Sequence, residues 1–273
     1  MKIEELQYLL KLHGLTPRKE QGQNFLIDDD AILASIEGAN VSKEDTVLEI
    51  GPGFGALTRA LVESAGQVIA VEQDRVLAGV LRKSMKGQDN ITIYNEDIRE
   101  FNAIEAGLND REYKLVANLP YSITSWILQH FLDNTPRPKQ IVAMVQKEVA
   151  ERIIAQPGAM SVLAVAVQLQ ATAEIVRIVP ADSFHPAPKV DSAIISITRL
   201  PQEDEKESFS EIMRTVRIGF SSRRKQLHNN MQSGFQLSKE EAIAVLEKAE
   251  LSPSARAQEL SPDDWERLHI ALQ

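Results

Sequence analysis

The chain has 273 residues, of which 43% are hydrophobic and 25% charged, with a formal net charge of −9. This composition excludes a disordered protein, and the length suits one full α/β domain with a smaller one. The absence of cysteine excludes disulfides and thiolate metal sites, and the five histidines are scattered, so we expect no metal. The sequence shows no secretory leader and no apolar run of membrane-spanning length, which predicts a cytoplasmic protein without membrane contact.

The first forty residues are predicted to form two helices joined by a polar segment. The first helix covers residues 1–15, and the second starts at the carboxylates of residues 28–30, which suit a helix N-terminus. Residues 18–26 between them are polar and broken by glycine. This segment is either a solvated loop or a lid that places Asn24 and the backbone of Leu26 over a ligand.

A glycine-rich turn follows the first predicted strand, residues 46–50. Gly51 and Gly53 suit a tight turn from strand to helix, because glycine adopts backbone torsions that other residues avoid and lets a ligand lie on the main chain. With Glu72 about twenty residues further on, the pattern also matches a dinucleotide fingerprint. The turn therefore indicates a nucleotide-type ligand of either kind, although plain strand-to-helix connections can also be rich in glycine.

Strands and helices then alternate along the chain. The predicted strands are residues 46–50, 67–72, 91–97, 113–118 and 141–145. Such alternation predicts right-handed βαβ crossovers and a doubly wound parallel sheet covered on both faces. Ligands of these sheets bind beyond the carboxyl ends of the strands, where Gly51, Glu72, Asp97 and Asn118 all fall.

The next part of the chain is predicted to hold two more strands, residues 173–179 and 193–197. The loop between them, residues 181–192, contains prolines that predict a stiff connection without regular pairing. Phe184 in this loop is either a packing residue or a stacking platform. The charged run after Pro201 predicts a domain boundary that separates residues 1–201 from residues 202–273.

Helical spacing continues to the end of the chain, which predicts a small all-helical C-terminal domain. The predicted helices are residues 209–220, 224–231, 239–249 and 263–272. The start of this domain is locally basic, and Arg223, Arg224 and Lys225 suit contacts to a nucleic-acid backbone. An ordinary solvated helix face would have a similar composition.

The residues Asn118-Leu119-Pro120-Tyr121 suggest chemistry on an adenine amine. This amine is a poor nucleophile until its nitrogen pyramidalises, and two acceptors that hold its hydrogens out of the ring plane favour that change. The side-chain carbonyl of Asn118 and the main-chain carbonyl of Leu119 can supply the pair, while Pro120 fixes the turn. Tyr121 can stack on the base, and Phe184 could close its other face. The alternative is a plain turn with a packed tyrosine.

Three acidic residues distinguish between the possible cofactors. Glu72 at a strand end suits ribose hydroxyls in either a dinucleotide or S-adenosylmethionine, whereas Asp97 at the next strand end suits an adenine amino group. Glu49, just before the glycine turn, adds negative charge that favours a sulfonium over a pyrophosphate. Together these acidic residues favour S-adenosylmethionine over a dinucleotide as the cofactor.

Six segments in the same order resemble the ribosomal RNA adenine N6-dimethyltransferase family, most nearly its bacterial small-subunit branch. They are Gly22-Gln23-Asn24-Phe25-Leu26, Glu49-Ile50-Gly51-Pro52-Gly53-Phe54-Gly55, Asn118-Leu119-Pro120-Tyr121, Val145-Gln146-Lys147-Glu148-Val149-Ala150-Glu151-Arg152, Phe184-His185-Pro186-Ala187-Pro188-Lys189-Val190-Asp191-Ser192 and Arg223-Arg224-Lys225. The resemblance implies a Rossmann-like class I methyltransferase fold with a helical C-terminal domain. It also implies cofactor contacts from Asn24, Leu26, Gly51, Glu72, Asp97 and Asn118, to which the glycine turn adds Gly53.

The activity that the resemblance implies is dimethylation of two adjacent adenosines in the 3′-terminal hairpin of 16S rRNA, by a monomer acting on an immature small subunit late in assembly. Two alternatives are a related antibiotic-resistance methyltransferase of large-subunit rRNA and an RNA-binding assembly factor without catalysis. The proline-rich loop and the C-terminal helices disfavour the first. The intact residues 118–121 disfavour the second. Ala187 stands where the family usually has proline, which leaves substrate handling less determined than cofactor binding.

Overall fold

A computed structural model describes residues 1–17, 23–201, 209–222 and 224–273. These residues form two compact units. The first comprises Met1–Ala150 with Glu174–Thr198, and the second comprises Glu151–Ala173 with Arg199–Gln273. Across these described ranges, no helix combines the length and apolar character needed to cross a bilayer.

A seven-stranded sheet, ordered β4-β3-β2-β5-β6-β9-β7, is the centre of the fold. Its strands are β2 (Thr46–Ile50), β3 (Gln67–Val71), β4 (Ile91–Tyr94), β5 (Tyr113–Asn118), β6 (Gln140–Gln146), β7 (Ala171–Val179) and β9 (Ser192–Arg199). Strands β2 to β6 pair in parallel, as predicted, whereas β9 runs antiparallel to β6. The first five of these strands form the predicted parallel sheet, and the antiparallel β9, for which no direction was predicted, makes the whole sheet mixed.

The helices of the first part of the chain are α1 (Ile3–Leu12), α2 (Asp29–Gly38), α3 (Ala56–Ser64), α4 (Arg75–Ser84), α5 (Thr124–Asp133) and α6 (Lys147–Ile153). Of these, α1 and α2 lie close to the positions predicted for them. The Asp28 carboxylate caps α2 by accepting hydrogen bonds from the amides of Asp30 and Ala31. The Asp74 carboxylate caps α4 in the same way. These caps satisfy amides that have no partner within the first helical turn, and they fix where each helix begins.

The core of the first unit explains why the strands read as continuous apolar runs. Val47, Val68, Val116 and Val142 on four neighbouring strands are at most 1% exposed and belong to one hydrophobic cluster. Parallel strands covered by helices on both faces bury nearly every side chain, and each buried aliphatic side chain contributes about 1.5–3 kcal/mol. Helix α3 closes one face of this cluster with Leu61, which is fully buried.

A buried ion cluster secures the amino ends of the strands, opposite the glycine turn. The Nζ of Lys114 and the Nζ of Lys139 each lie 2.8 Å from a different carboxylate oxygen of Asp45. Burial acts to raise the pKa of Asp45, but the two ammonium groups outweigh it and hold the pKa well below its usual range. The cluster joins the start of β2 to β5 and to the residue before β6.

Residues 181–192 contradict the prediction of a loop without regular pairing. Within them, β8 (Phe184–His185) pairs antiparallel with β1 (Phe25–Leu26), and Leu26 lies opposite Phe184. Pro186 and Pro188 follow the paired residues, so neither removes a donor from this short ladder. The ribbon joins the polar N-terminal segment to the proline-rich loop.

The second unit is helical apart from parts of two sheet strands. Its helices are α7 (Val162–Gln168), α8 (Phe209–Gly219), α9 (Leu227–Phe235), α10 (Lys239–Lys248) and α11 (Pro262–Ala271). They pack around the fully buried Trp265. Capping boxes led by Ser238 and Ser261 start α10 and α11, close to the helix starts predicted at residues 239 and 263.

The second unit contains residues that the predicted division of the sequence places in the first domain. Met160, Ala164 and Leu169 share a hydrophobic cluster with Trp265, so residues 151–173 group with the C-terminal helices rather than with the sheet. The predicted boundary adjoins residues 202–208, which lie outside the described part of the chain. The division at residue 201 therefore stays a prediction.

Candidate active site

A cavity of about 700 Å³ lies at the carboxyl ends of β2, β3 and β5. This is the edge of the sheet where ligands of such folds bind, and the volume suits a nucleotide-sized molecule. It is lined by all the predicted cofactor-binding residues and by the four residues 118–121, namely Asn24, Leu26, Gly51, Gly53, Glu72, Asp97, Asn118, Leu119, Pro120 and Tyr121. The structure thus brings together side chains that the sequence places almost one hundred residues apart.

The glycine turn forms the floor of the cavity. Gly51 and Gly53 have φ values of 69° and 59°, in the left-handed region that favours glycine. A Cβ on Gly53 would lie 3.2 Å from the Phe25 ring, whereas a Cβ on Gly51 would have Pro120 at 3.8 Å as its nearest neighbour. A side chain at position 51 would therefore take up space in the cavity that a ligand can use.

Glu72 ties the glycine turn to the end of β3. One carboxylate oxygen accepts the amide of Gly53 at 3.0 Å, and the other accepts the amide of Asp74 at 2.8 Å. Burial raises the pKa of Glu72, and these backbone amides oppose the shift. The predicted contact of Glu72 to ribose hydroxyls remains a proposal. Sequence reasoning did not anticipate the contact to Gly53.

Glu49 is a buried acid on the wall of the cavity. Its side chain is 1% exposed, and its Oε2 has no hydrogen-bond partner among the described residues. Burial raises the pKa of Glu49 to about 8; the Thr58 hydroxyl opposes the shift, and the charge of Glu72 adds to it. A buried carboxylate without a partner is costly, and a cation bound in the cavity would reduce that cost.

Asp97 is held by two neighbours that the sequence analysis did not single out. The Nε of Arg99 lies 3.0 Å and 3.2 Å from its two carboxylate oxygens, and the Nε2 of Gln73 donates to one of them at 3.1 Å. The hydrogen-bonded ion pair with Arg99 holds the pKa of Asp97 below its usual range, although burial acts in the opposite direction. Arg99 and Gln73 also line the cavity. The predicted contact of Asp97 to an adenine amino group remains a proposal.

The side chain of Asn118 has a defined orientation at the end of β5. Its Nδ2 donates to the carbonyl of Asn24 at 3.4 Å. Among the described residues, no donor contacts its Oδ1. The amide is therefore fixed through its nitrogen while its oxygen keeps its acceptor capacity.

The backbone carbonyls after Asn118 differ in whether they accept a hydrogen bond from the described residues. The amide of Leu119 donates to the carbonyl of Met144 at 3.1 Å. The carbonyl of Pro120 accepts both the amide of Ile123 at 3.1 Å and the hydroxyl of Thr124 at 3.0 Å. No described residue donates to the carbonyl of Leu119. The predicted pair of acceptors, on Asn118 and Leu119, is thus left without an internal donor.

Tyr121 lines the cavity with a half-buried ring. Its hydroxyl lies 2.6 Å from the Oγ of Ser192, the first residue of β9. Burial raises the pKa of Tyr121, and the bond to Ser192 partly offsets that shift, so the phenol stays neutral near pH 7. Its predicted stacking on a base remains a proposal.

Asn24 and Leu26 line the cavity together with the glycine turn, and their predicted place over a ligand remains a proposal. The β1–β8 ribbon holds Leu26, and the Phe25 ring packs against Phe54 with their centroids 5.0 Å apart. Residues 18–22 of the same polar segment lie outside the described part of the chain. The described portion is therefore a cavity wall fixed by strand pairing rather than a solvated loop.

Phe184 does not line the cavity, in contrast to its predicted place in the site. It is 3% exposed and packs in the hydrophobic cluster of the first unit. Its pairing with Leu26 in the ribbon turns the ring inward, since both residues are buried in the same cluster. In this structure Phe184 is a packing residue, the other interpretation that its sequence context allowed.

The predicted RNA-binding cluster lies in the second unit, between α8 and α9. Arg224 and Lys225 are exposed, and Arg223 lies outside the described residues. Exposed cations next to a helix suit contacts to phosphate. Their role remains a prediction.

Comparison with known proteins decides which kind of site this is. The model of the family described as ribosomal RNA adenine dimethylase matches residues 14–273. The chain belongs to the ribosomal RNA adenine dimethylase family. The protein is therefore an rRNA adenine dimethyltransferase that depends on S-adenosylmethionine, which confirms the predicted enzyme class and cofactor.

Relatives named ribosomal RNA small subunit methyltransferase A match nearly the full chain. The protein from Dehalococcoides mccartyi strain CBDB1 is 40% identical over 97% of this chain and 92% of its own length. The protein from Streptococcus sanguinis is 41% identical, with coverage of 97% and 95%. The protein from Streptococcus mutans is 42% identical, with coverage of 97% and 94%.

Two solved structures share the fold. A dimethyladenosine transferase from Plasmodium falciparum matches with a TM-score of 0.77 at 27% identity, covering 89% of this chain and 95% of that chain. The 23S rRNA methyltransferase ErmE matches with a TM-score of 0.73 at 29% identity, covering 91% and 99%. The predicted Rossmann-like methyltransferase fold with C-terminal helices is confirmed.

The residues of the cavity fit S-adenosylmethionine on three observations. The absence of a Cβ at Gly51 leaves room beside the main chain. Glu49 offers a buried carboxyl group whose Oε2 has no partner among the described residues, and a bound cation would favour its ionised form. Glu72 and Asp97 place acceptors at two successive strand ends, where a ribose and an adenine amine could be bound.

Proposed function

We propose that the protein dimethylates the N6 atoms of two adjacent adenosines in the 3′-terminal hairpin of 16S rRNA, within an immature small subunit late in assembly. The observation that carries this proposal is the pair of acceptors on Asn118 and Leu119, to which none of the described residues donates at the wall of the cavity. The names of the full-length relatives support the small subunit as the target. We also propose that the protein acts as a monomer in the cytoplasm.

The mechanism follows from what these acceptors do to an adenine amine. Asn118 Oδ1 and the Leu119 carbonyl each accept one hydrogen of the amine, and together they draw the hydrogens out of the ring plane. The nitrogen then becomes pyramidal and its lone pair becomes available for attack. Because the two acceptors are fixed before substrate binds, they require little reorganisation during the reaction.

Neighbouring side chains complete the site. S-adenosylmethionine supplies an electrophilic methyl group on a sulfonium. Tyr121 provides an aromatic face on which the target base can stack. In a water-poor cavity, a bound cation would favour the ionised form of Glu49, whose negative charge would in turn hold the cation. No general base is needed, since the amine becomes acidic once it is alkylated and can lose its proton to water.

The alternative targets are less well supported. ErmE, a 23S rRNA methyltransferase, is 29% identical to this chain, whereas the small-subunit relatives reach 40–42% over nearly its full length. A non-catalytic assembly factor would have no need to keep two acceptors without internal donors. The identities favour the small subunit as the target, and the two acceptors favour catalysis over RNA binding alone.

Incubation with radiolabelled S-adenosylmethionine tests the proposal directly. Under-methylated small subunits and, in parallel, large subunits serve as substrates, followed by mapping of the modified bases. We expect label on two adjacent adenosines of the small-subunit 3′ hairpin and none on large subunits. Label confined to large subunits would favour the antibiotic-resistance type, and no label on either would favour an RNA-binding factor.

A further inference from the structure

Tyr121 is fixed at its far end by a residue that the proposed mechanism does not use. Its hydroxyl lies 2.6 Å from Ser192 Oγ, and either hydroxyl can be the donor. The neighbouring backbone is attached to β6, because the amide of Leu119 donates to the carbonyl of Met144 at 3.1 Å. Residues 118–121 are therefore attached to β6 and to β9, in addition to the contact between Asn118 and Asn24.

Ser192 is a rigid point of attachment. It is fully buried and lies opposite Gln146 in the antiparallel register between β9 and β6. The carbonyl of the preceding residue, Asp191, accepts the amide of Lys147 at 3.0 Å. The carboxylate of Asp191 accepts the amide of Ala181 at 3.1 Å. The backbone that carries the Ser192 hydroxyl is thus held from both sides.

An aromatic ring that stacks on a base needs a fixed plane. A tyrosine side chain rotates about two bonds. A hydrogen bond to the hydroxyl fixes the far end of the ring and so restricts the first rotation; because a phenol hydroxyl prefers to lie in the ring plane, the bond also favours one orientation of that plane. The Asn118 and Leu119 acceptors act on the amine only when the base lies in one plane, which the stacked ring sets. A hydroxyl that holds the ring therefore influences the geometry of the reacting amine without touching it.

We propose that Ser192 is a positioning residue, whose hydroxyl holds the Tyr121 ring in the orientation that aligns the target adenine with the acceptors of Asn118 and Leu119. The inference rests on the proposed function, because it assigns a role within that reaction. It gives a function to the last residue of the proline-rich segment.

A double-mutant cycle separates positioning from a purely structural role. The variants are Ser192→Ala, Tyr121→Phe and the pair together, each of which removes the same hydrogen bond. We expect each single variant to lower the single-turnover methylation rate by about fivefold, the factor expected for one net hydrogen bond. We expect the double variant to be no slower than the slower single variant, because the bond can be lost only once. Calorimetry should show unchanged affinity for S-adenosylmethionine.

Ser196→Ala is a matched control in the same strand. Ser196 is also buried, lies on the same face four residues further along β9, and accepts a 3.0 Å hydrogen bond from Gln140 Nε2. Its loss should change the stability of the protein to a similar extent while leaving the methylation rate at the wild-type value. An equal fall in rate for Ser196→Ala would show that any buried hydroxyl in β9 has this effect, and would overturn the inference.

The outcomes distinguish this inference from the proposed function. A wild-type protein that fails to label small subunits overturns the proposed function. A wild-type protein that labels them, with losses that multiply in the double variant or with an unaffected Ser192→Ala rate, overturns the role of Ser192 alone. Urea unfolding of the same four proteins provides a readout without RNA, and additive losses of stability there would show that the two hydroxyls are not coupled.

Discussion

The side-chain nitrogen of Asn118 donates to the main-chain carbonyl of Asn24, 94 residues earlier in the chain, at 3.4 Å. The nitrogen and oxygen of an amide belong to one rigid plane, so a partner for the nitrogen also fixes the direction of the oxygen. The contact joins the end of β5 to the segment over the glycine turn. One hydrogen bond thereby connects the residues expected to contact the cofactor with those expected to contact the target base.

Asn118→Ala is expected to abolish most methyl transfer. The change removes one of two acceptors for the amine hydrogens, and losses of about a hundredfold or more are typical when one preorganised polar group is removed from a reaction centre. Single-turnover kinetics on under-methylated small subunits measure the effect. The variant should remain folded by circular dichroism and still bind RNA, and an unchanged rate would remove Asn118 from the mechanism.

Glu72→Ala is expected to weaken S-adenosylmethionine binding. The carboxylate holds the amide of Gly53 and is proposed to bind the ribose, so its loss disturbs both the turn and the ligand contact. If both ribose hydroxyls donate to the Glu72 carboxylate, losing these two hydrogen bonds to a charged group corresponds to roughly 3 kcal/mol or more, which is about a hundredfold in affinity. Calorimetry measures the change, and Glu72→Gln is the matched control that keeps one acceptor. Equal affinity for wild type and Glu72→Ala would refute the assignment.

Glu49 is expected to make stability decrease as the pH rises. Its pKa is about 8 in the folded state and 4.5 in the reference state, so between these values the folded protein binds more protons than the unfolded chain. Stability from this group is complete below pH 4.5 and is lost as the pH rises towards 8, by at most about 1.4 kcal/mol per unit. Glu49→Gln should remove this dependence. Urea unfolding at pH 5 and pH 8 compares the two proteins, and parallel pH dependences would contradict the prediction.

Charge reversal at Arg224 and Lys225 is expected to reduce the salt dependence of RNA binding. Each phosphate contact that is lost lowers the slope of log affinity against log salt by roughly 0.7–0.9. Lys239→Glu, at an exposed position of the same unit, serves as the control and should leave the slope unchanged. Filter binding across a salt series provides the measurement. An unaltered slope in the Arg224→Glu, Lys225→Glu double variant would exclude these residues from the interface.

The sequence was sufficient to predict the parts of this site that depend on strand order. Gly51, Glu72, Asp97 and Asn118 lie at or shortly after the ends of four parallel strands, and parallel pairing alone brings such residues to one edge of a sheet. Local apolar patterns also predicted the parallel strands with small errors at their ends.

Contacts between distant segments could not be predicted in this way. The inward position of Phe184 depends on its pairing with Leu26, and no local pattern specifies a two-residue ladder between chain segments so far apart. The same limit hid the bond between Tyr121 and Ser192. Arg99 was detectable in principle, because it follows Asp97 by two residues, a spacing that allows a side-chain ion pair.

The β1–β8 ribbon has a consequence for how the enzyme exchanges its cofactor. Leu26 borders the cavity, and its backbone partner Phe184 belongs to the segment that leads into β9 and Ser192. Displacing residues 24–26 to admit or release a nucleoside requires the ribbon either to break or to move as a whole. Exchange of the methyl donor and repositioning of the Tyr121 ring for the next base would then be coupled events rather than independent ones.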